Sequence, residues 1–119
     1  MTPSLLIVDD HAEFRSFTKS LLSGSGFDVT AEAEDGESAL EQAERVNPDV
    51  VLLDVQLPGI DGFEVAERLA AGKRPPHVVL TSSRDASEYG ERLERSPIDG
   101  FIPKRELSSE KLSALVSSD

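Results

Sequence analysis

The stretch Val50-Val51-Leu52-Leu53-Asp54 decides the fold, because four large aliphatic residues run directly into a single carboxylate. Pro48-Asp49 precedes this run and Pro58-Gly59 follows it. An apolar run that is bounded by turn residues predicts a strand buried on both faces. Asp54 is then expected where the strand leaves the core, at its carboxyl end. Ligands bind at that edge of an open parallel sheet, so Asp54 is the first candidate functional residue.

Strand and helix signals alternate along the rest of the chain. Further apolar strands are predicted at 5–8, 27–33, 77–81 and 100–102. Apolar residues at helical spacing predict helices at 12–23, 37–46, 61–72 and 86–95, and a last helix with apolar residues over 107–116 that ends in 117–119. Such alternation implies a parallel sheet with right-handed crossovers, and 1–119 is expected to be one α/β domain. The segment 86–95 has few apolar residues, so we expect a loosely packed, exposed fourth helix.

The composition limits the classes of function. Twelve basic residues stand against 23 acidic residues, and the formal charge of −11 would repel nucleic-acid phosphates and anionic lipids. The chain has no cysteine, which excludes disulfides, thiolate zinc sites and cysteine nucleophiles. It also lacks an apolar stretch near the ~18 residues of a membrane span, and its start does not resemble a signal peptide. We therefore expect a cytoplasmic protein that by itself binds neither nucleic acid nor membranes.

Polar residues follow four of the predicted strands. They are Asp9, Asp10, Asp54, Ser82 and Lys104. Parallel strands end at one edge, so these groups are expected to lie close together. Crowded carboxylates repel one another unless one is protonated or a divalent cation binds, and oxygen ligands without cysteine favour Mg²⁺ over zinc. With a lysine and a hydroxyl beside the cation, this set predicts in-line attack on phosphorus by Asp54 and an aspartyl phosphate product.

Four motifs occur in a fixed order along the chain. They are Val8-Asp9-Asp10, Leu53-Asp54-Val55 with Pro58-Gly59 and Asp61-Gly62, Thr81-Ser82-Ser83, and Gly100-Phe101-Ile102-Pro103-Lys104. In this combination the chain resembles a response-regulator receiver domain of bacterial two-component signalling, over essentially its whole length. The runs at 9–11 and 104–107 are similar to the subgroup of nitrate and quorum regulators. The resemblance implies a flavodoxin-like, doubly wound, five-stranded parallel sheet of order 2-1-3-4-5, flanked by five helices.

The resemblance also implies roles for the clustered residues. Asp9 and Asp10 would hold Mg²⁺, one of them through water, together with Asp54 and the backbone carbonyl of Gln56. Asp54 would accept the phosphoryl group from a phosphohistidine on a sensor kinase or a phosphotransfer protein. Lys104 would contact the phosphate. Such a domain catalyses its own phosphorylation and dephosphorylation and is not a conventional turnover enzyme.

Two further groups of residues follow from the same resemblance. Ser82 would turn inward to the phosphate and the Phe101 rotamer would follow it, whereas the side chain of Thr81 is expected to point to the opposite side. The face formed by the fourth helix, fifth strand and fifth helix would then switch to a state that binds a downstream partner, controls an output domain or forms a homodimer. Gln56 and Arg84 match positions that tune phosphate loss, and Arg84 would either shield the phosphate or stay solvated.

Some residues depart from the family pattern. Arg105 stands where many relatives have proline, so the loop of Lys104 is expected to differ in shape. Pro103 lacks a backbone donor, so the fifth strand should pair poorly there. Pro97 occupies a position where glycine is common, which should change how the fourth helix ends. No output domain follows the fifth helix, so we expect either a stand-alone receiver or a piece of a longer protein.

Other functions on the same fold are less consistent with the residues. A phosphate-independent adaptor or dimerisation module remains the alternative, although it has no need for the carboxylate cluster. A flavin carrier needs a phosphate-binding first loop, and Asp9-Asp10-His11 would repel the phosphate. An aspartyl phosphatase usually has an acid two residues after its nucleophile, where this chain has Gln56. His11 itself is expected to be a solvated side chain at a helix start.

Overall fold

The computed structural model describes residues 2–116. Its strands are β1 (Ser4–Val8), β2 (Asp28–Ala33), β3 (Val50–Asp54), β4 (His77–Ser82) and β5 (Gly100–Pro103). Its α-helices are α1 (Ala12–Leu22), α2 (Gly36–Val46), α3 (Gly62–Ala70), α4 (Glu91–Arg95) and α5 (Ser109–Val116). The strands form one parallel sheet in the order β2-β1-β3-β4-β5. This order confirms the predicted flavodoxin-like fold.

The middle strand β3 is buried along its whole length. Val51 and Leu53 pack in the core layer that includes residues of α2 and α3. Val50 and Leu52 pack in the opposite layer, with residues of α1 and α5. Full burial of each such aliphatic side chain contributes about 1.5–3 kcal/mol, so the strand is fixed from both sides. The prediction of a strand buried on both faces is confirmed, and Asp54 lies at its carboxyl end.

Aspartates begin the two helices that flank β3 in sequence. The Asp35 carboxylate accepts a hydrogen bond of 2.8 Å from the Ser38 N–H at the start of α2. The Asp61 carboxylate accepts one of 3.0 Å from the Glu64 N–H at the start of α3. Such caps satisfy N–H groups that have no partner inside the helix. A Cβ at Gly62 would overlap the backbone carbonyl of Asp54, so glycine is what lets α3 begin this close to the end of β3.

The predicted fourth helix over 86–95 is divided in the structure. A 3₁₀ turn spans Ala86–Glu88, Gly90 adopts a φ of 55°, and only Glu91–Arg95 is α-helical. A positive φ interrupts a right-handed helix, and glycine adopts it without steric cost. Neither short piece has a buried residue, because the segment has few apolar side chains to pack. The expected loose, exposed segment is present, although it is not one continuous helix.

The predicted last helix over 107–116 begins later than expected. Lys104–Glu106 forms a 3₁₀ turn, Leu107 is extended, and α5 starts at Ser109. The predicted end at 117–119 lies outside the described residues. Pro103 is the last residue of the edge strand β5 and stands opposite Ser82, a place where a residue without an N–H group is tolerated. Over 2–116, the structure contains no helix long and apolar enough to cross a membrane.

Candidate functional site

A cluster of acidic groups lies at the carboxyl edge of β1 and β3. Asp9, Asp10, His11 and Asp54 each place one ligand atom so that all four atoms lie within 4.8 Å of one another. Asp9 is completely buried and Asp54 is 3% exposed, whereas Asp10 is on the surface. The three carboxylates therefore lie together at one edge of the sheet, as predicted.

Lys104 reaches this cluster from the end of β5. Its Nζ lies 2.6 Å from Oδ2 of Asp9 and 3.3 Å from Oδ2 of Asp54. The same Nζ lies 4.3 Å from the ring centroid of Phe14 on α1, which is a cation–π distance. The ammonium group thus bridges two buried carboxylates, and only 17% of the lysine side chain is exposed.

Burial controls the electrostatics of Asp54. Desolvation and the nearby charge of Asp9 raise the pKa of Asp54 from 3.8 to about 6, against the opposing effects of Lys104 and of a hydrogen bond from the Gln56 N–H. Burial alone would lower the pKa of Lys104, but its contacts with Asp9 and Asp54 outweigh burial and raise that pKa. A single lysine therefore does not fully compensate the carboxylates, and the site favours an additional positive charge or proton.

The donor set fits a hard divalent cation. Oδ2 of Asp9 is buried and has no hydrogen-bond partner among the described residues, although it forms the ion pair with Lys104. Asp10 and Asp54 add further carboxylate oxygens within reach. Oxygen ligands that include an exposed group suit Mg²⁺, which keeps several waters. The residues present fit the predicted metal.

His11 differs in part from its prediction. Its side chain is 69% exposed, as expected for a solvated histidine, but Nδ1 lies 3.1 Å from Oδ1 of both Asp9 and Asp10. The His11 N–H also donates to Oδ1 of Asp9 at 2.9 Å. This backbone bond helps to fix the Asp9 carboxylate at the start of α1.

Ser82 is buried at the end of β4. Its Oγ accepts a hydrogen bond of 3.0 Å from the Arg84 N–H and lies 2.6 Å from the hydroxyl of Tyr89. Thr81, one residue earlier, donates to the carbonyl of Ile102 at 2.7 Å and so is occupied within the sheet. The ring of Phe101 is half-buried and packs edge-on against Tyr89, with centroids 6.1 Å apart.

The two residues predicted to tune phosphate loss lie at the rim. The side chain of Gln56 is exposed, and its backbone N–H donates to Oδ1 of Asp54 at 3.2 Å. The Arg84 side chain is 56% exposed and pairs with Glu88, at 3.9 Å. The structure therefore joins Gln56 to the cluster through its backbone and leaves the Arg84 guanidinium outside it.

Sequence reasoning missed three contributors to the site. They are Phe14 beneath Lys104, Arg15, whose Nη1 donates to the Asp9 carbonyl at 2.6 Å, and Tyr89 beside Ser82. Each lies within a helical or irregular segment, and its partner is six or seven residues away for Arg15 and Tyr89 and in a distant part of the sequence for Phe14. The spacing of apolar residues places their side chains on a face but does not identify the atom that they contact, so the sequence carried no signal for these contacts.

Comparison with known proteins agrees with this geometry. The family model described as "Response regulator receiver domain" matches residues 5–117. The transcriptional regulatory protein DegU of Brevibacillus brevis is 34% identical over 84% of this chain and 43% of its own length. The DNA-binding transcriptional activator EvgA of Escherichia coli K12 is 28% identical over 92% of this chain and 54% of its own length. The chain thus spans about half the length of these curated relatives.

Solved structures are similar over nearly the whole chain. The signal receiver domain of a protein assigned as the response regulator NarL, from Mycobacterium tuberculosis, has a TM-score of 0.84 and 30% identity, and covers 98% of both chains. A DNA-binding response regulator of the LuxR family from Staphylococcus aureus has a TM-score of 0.84 and 27% identity, and covers 96% of this chain and 95% of its own. These neighbours agree with the predicted similarity to nitrate and quorum regulators. The chain belongs to the response regulator receiver domain family.

Proposed function

We propose that this chain is a phosphorylation-activated receiver domain spanning residues 1–119. It accepts a phosphoryl group on Asp54 from a sensor histidine kinase or a phosphotransfer protein. The observation that carries this proposal is the burial of Asp54 beside Asp9 and Lys104 at one edge of the sheet. A carboxylate held next to both an acid and a lysine, with an uncompensated negative charge, is poised to meet a cation and a phosphoryl group together.

The chemistry is a phosphoryl transfer to oxygen. A carboxylate oxygen of Asp54 forms a bond to phosphorus while the P–N bond to the donor histidine breaks. The electron pair of that bond leaves on the imidazole nitrogen, which then takes up a proton from water. Lys104 needs little movement to follow the new charge, because it already lies 3.3 Å from Oδ2 of Asp54. Attack of water on the phosphorus later returns the carboxylate and releases inorganic phosphate.

Mg²⁺ is the proposed cofactor. Asp9, Asp10, Asp54 and the backbone carbonyl of Gln56 would hold it. Bound there, it would offset the negative charge that develops on the phosphoryl oxygens. Asp9 would contribute most to the orientation of the ion, because the His11 N–H and the Lys104 ammonium fix its two carboxylate oxygens.

The output of the modification would be a change of the α4–β5–α5 face. The acyl phosphate carries about two negative charges, about one more than the carboxylate that it replaces, and would draw the Ser82 hydroxyl and the Phe101 ring inward. The α4 segment has no buried residue, so its conformation costs little to change. That face would then bind a downstream protein, an output domain or a second copy of the chain. We place this activity in the cytoplasm, without direct binding of nucleic acid or membranes.

The rate of phosphate loss is proposed to depend on Gln56 and Arg84. The backbone of Gln56 is tied to Asp54 by a hydrogen bond of 3.2 Å, and its side chain is exposed, so it is available to affect the approach of water to the acyl phosphate. Arg84 is 56% exposed, and its contact with Glu88 is long, at 3.9 Å. Its guanidinium can therefore move toward an added phosphate at little cost.

The test is the intact mass of the protein after incubation with Mg²⁺ and acetyl phosphate. The wild type should gain one phosphoryl group, and the gain should disappear when the metal is removed by chelation. Asp54→Ala should gain none. Asp28→Asn is the matched control, because Asp28 is an exposed acid at the start of β2, and it should behave as the wild type does.

Failure to modify the wild type, while Mg²⁺ also fails to bind, would overturn the proposed function. The phosphate-independent adaptor or dimerisation module would then be the better account of the fold. Modification of Asp54→Ala to the wild-type extent would instead place the acceptor elsewhere.

A further inference from the structure

The hydroxyl of Ser82 is already engaged by the segment that follows β4. Its Oγ lies 2.6 Å from the Tyr89 hydroxyl and accepts a hydrogen bond of 3.0 Å from the Arg84 N–H. A serine hydroxyl offers one hydrogen and two lone pairs. Within 2–116, no hydrogen bond joins Ser82 to Asp54 or Lys104. Among these residues, the side-chain partner of the buried hydroxyl is therefore the phenol of Tyr89.

Aromatic contacts hold the Tyr89 ring in place on two sides. The ring of Phe63 lies 5.6 Å away at an interplanar angle of 68°, and that of Phe101 lies 6.1 Å away at 61°. Both are edge-to-face arrangements, which aromatic pairs prefer. Tyr89 thus stands between the hydroxyl of Ser82 and the ring of Phe101, the two side chains that are proposed to move on phosphorylation.

The backbone around Tyr89 is able to change conformation at small cost. Tyr89 follows the 3₁₀ turn Ala86–Glu88 and precedes Gly90, which has a φ of 55° and open space on the side where a Cβ would stand. No residue of that turn or of α4 is buried. Segments with few buried apolar contacts open most easily. Withdrawal of Tyr89 would therefore cost mainly its own ring contacts with Phe63 and Phe101.

We propose that Tyr89 is a positioning residue that holds the Ser82 hydroxyl in its unphosphorylated orientation. This inference rests on the proposed phosphorylation of Asp54. A phosphoryl group on Asp54 must compete with the phenol for Ser82, and its success releases Tyr89. The Phe101 ring then loses one of its packing partners and is free to change rotamer. Tyr89 in this way sets the free energy that a phosphoryl group must supply to turn Ser82 inward. It also couples that movement to α4.

The first test is the affinity for beryllofluoride with Mg²⁺, a stable mimic of the phosphoryl group, measured by titration calorimetry. Tyr89→Phe removes the hydroxyl but keeps the ring, so it weakens only the unphosphorylated state. The affinity should rise about two- to tenfold, which is the range expected for one hydrogen bond. Thr81→Val is the matched control. It removes a buried hydroxyl bond one residue away from Ser82, and it should leave the affinity unchanged.

A second readout uses the phenol itself. Tyr89 is the only tyrosine, and the chain has no tryptophan, so tyrosine emission reports this one contact. The emission of wild type should change when beryllofluoride binds. Ser82→Ala frees the phenol without any modification, so its emission should match that of the loaded wild type before beryllofluoride is added. In the Ser82→Ala background, Tyr89→Phe should no longer change the affinity.

The outcomes separate this inference from the proposed function. If acetyl phosphate modifies the wild type but Tyr89→Phe has unchanged or weaker affinity for beryllofluoride, the positioning role is overturned and the proposed function stands. Identical emission of wild type and Ser82→Ala would also overturn it, because the phenol would then not be held by Ser82. If neither acetyl phosphate nor beryllofluoride acts on any variant, both conclusions fail together.

Discussion

Replacement of Asp54 by asparagine should stabilise the metal-free protein at alkaline pH. Asparagine has nearly the shape of the protonated carboxyl but carries no charge. Burial and the charge of Asp9 raise the pKa of Asp54 from 3.8 to about 6 in the folded state. A raised pKa means that the folded protein favours the protonated form, so the ionised form costs free energy. The shift of about two units corresponds to about 3 kcal/mol, at about 1.4 kcal/mol per unit.

The sign of the pH dependence follows from the same shift. Below pH 3.8 the carboxyl is protonated in both the folded and unfolded states, and Asp54 then costs no stability. As the pH rises toward about 6, the unfolded state ionises first, and wild-type stability falls by up to about 3 kcal/mol. The advantage of Asp54→Asn should therefore be small near pH 4 and reach about 2–3 kcal/mol at pH 8.

The assay is urea unfolding followed by far-UV circular dichroism, with a chelator present, at several pH values from 4 to 8. Asp28→Asn serves as the control, because that acid is exposed at the start of β2. It should change stability by less than about 0.5 kcal/mol at every pH. The account of an uncompensated buried charge would be refuted if Asp54→Asn were no more stable than wild type at pH 8. It would also be refuted if the stability advantage of Asp54→Asn did not grow with pH.

Three further predictions concern the same site. Addition of Mg²⁺ at pH 8, at a hundred times its dissociation constant, should stabilise wild type by about 2.7 kcal/mol and so raise its melting temperature, and it should raise the melting temperature of Asp54→Asn much less. Equal shifts of the two proteins in thermal unfolding would argue against Asp54 as a ligand. Lys104→Met should leave two buried carboxylates without their cation, which should cost about 3–5 kcal/mol in urea unfolding and slow modification by acetyl phosphate. If the variant were as stable as wild type, the ion pairs at 2.6 and 3.3 Å would not be stabilising. Gly62→Ala should cost about 1–3 kcal/mol through overpacking against the Asp54 carbonyl, and unchanged stability would show that α3 shifts freely.

The sequence predicted the sheet well because its signals are local and strong. The short apolar run 50–53 has turn residues on both sides, which favours a strand buried on both faces, and β3 is buried throughout. The convergence of Asp9, Asp54 and Lys104 also followed, since the carboxyl ends of parallel strands share one edge. Polar residues at strand ends are therefore the part of a site that a sequence can predict.

The interruption around Gly90 was missed because a weak apolar pattern does not fix the length of a helix. Tertiary contacts decide whether ten residues with few apolar side chains stay continuous, and here they form a 3₁₀ turn and a five-residue helix. The contact between Ser82 and Tyr89 was missed for a related reason. It depends on the path of this irregular segment, which places the phenol 2.6 Å from the hydroxyl.

The most direct test of the central claim is to locate the phosphoryl group in the sequence. After incubation with Mg²⁺ and acetyl phosphate, hydride reduction converts an acyl phosphate on aspartate into homoserine, which survives proteolysis and is found by peptide mass spectrometry. We expect homoserine at position 54 alone, and its absence when the metal is chelated. Conversion at Asp9 or Asp10 instead, or a phosphoryl group retained on Ser82, would contradict the assignment of Asp54 as the acceptor.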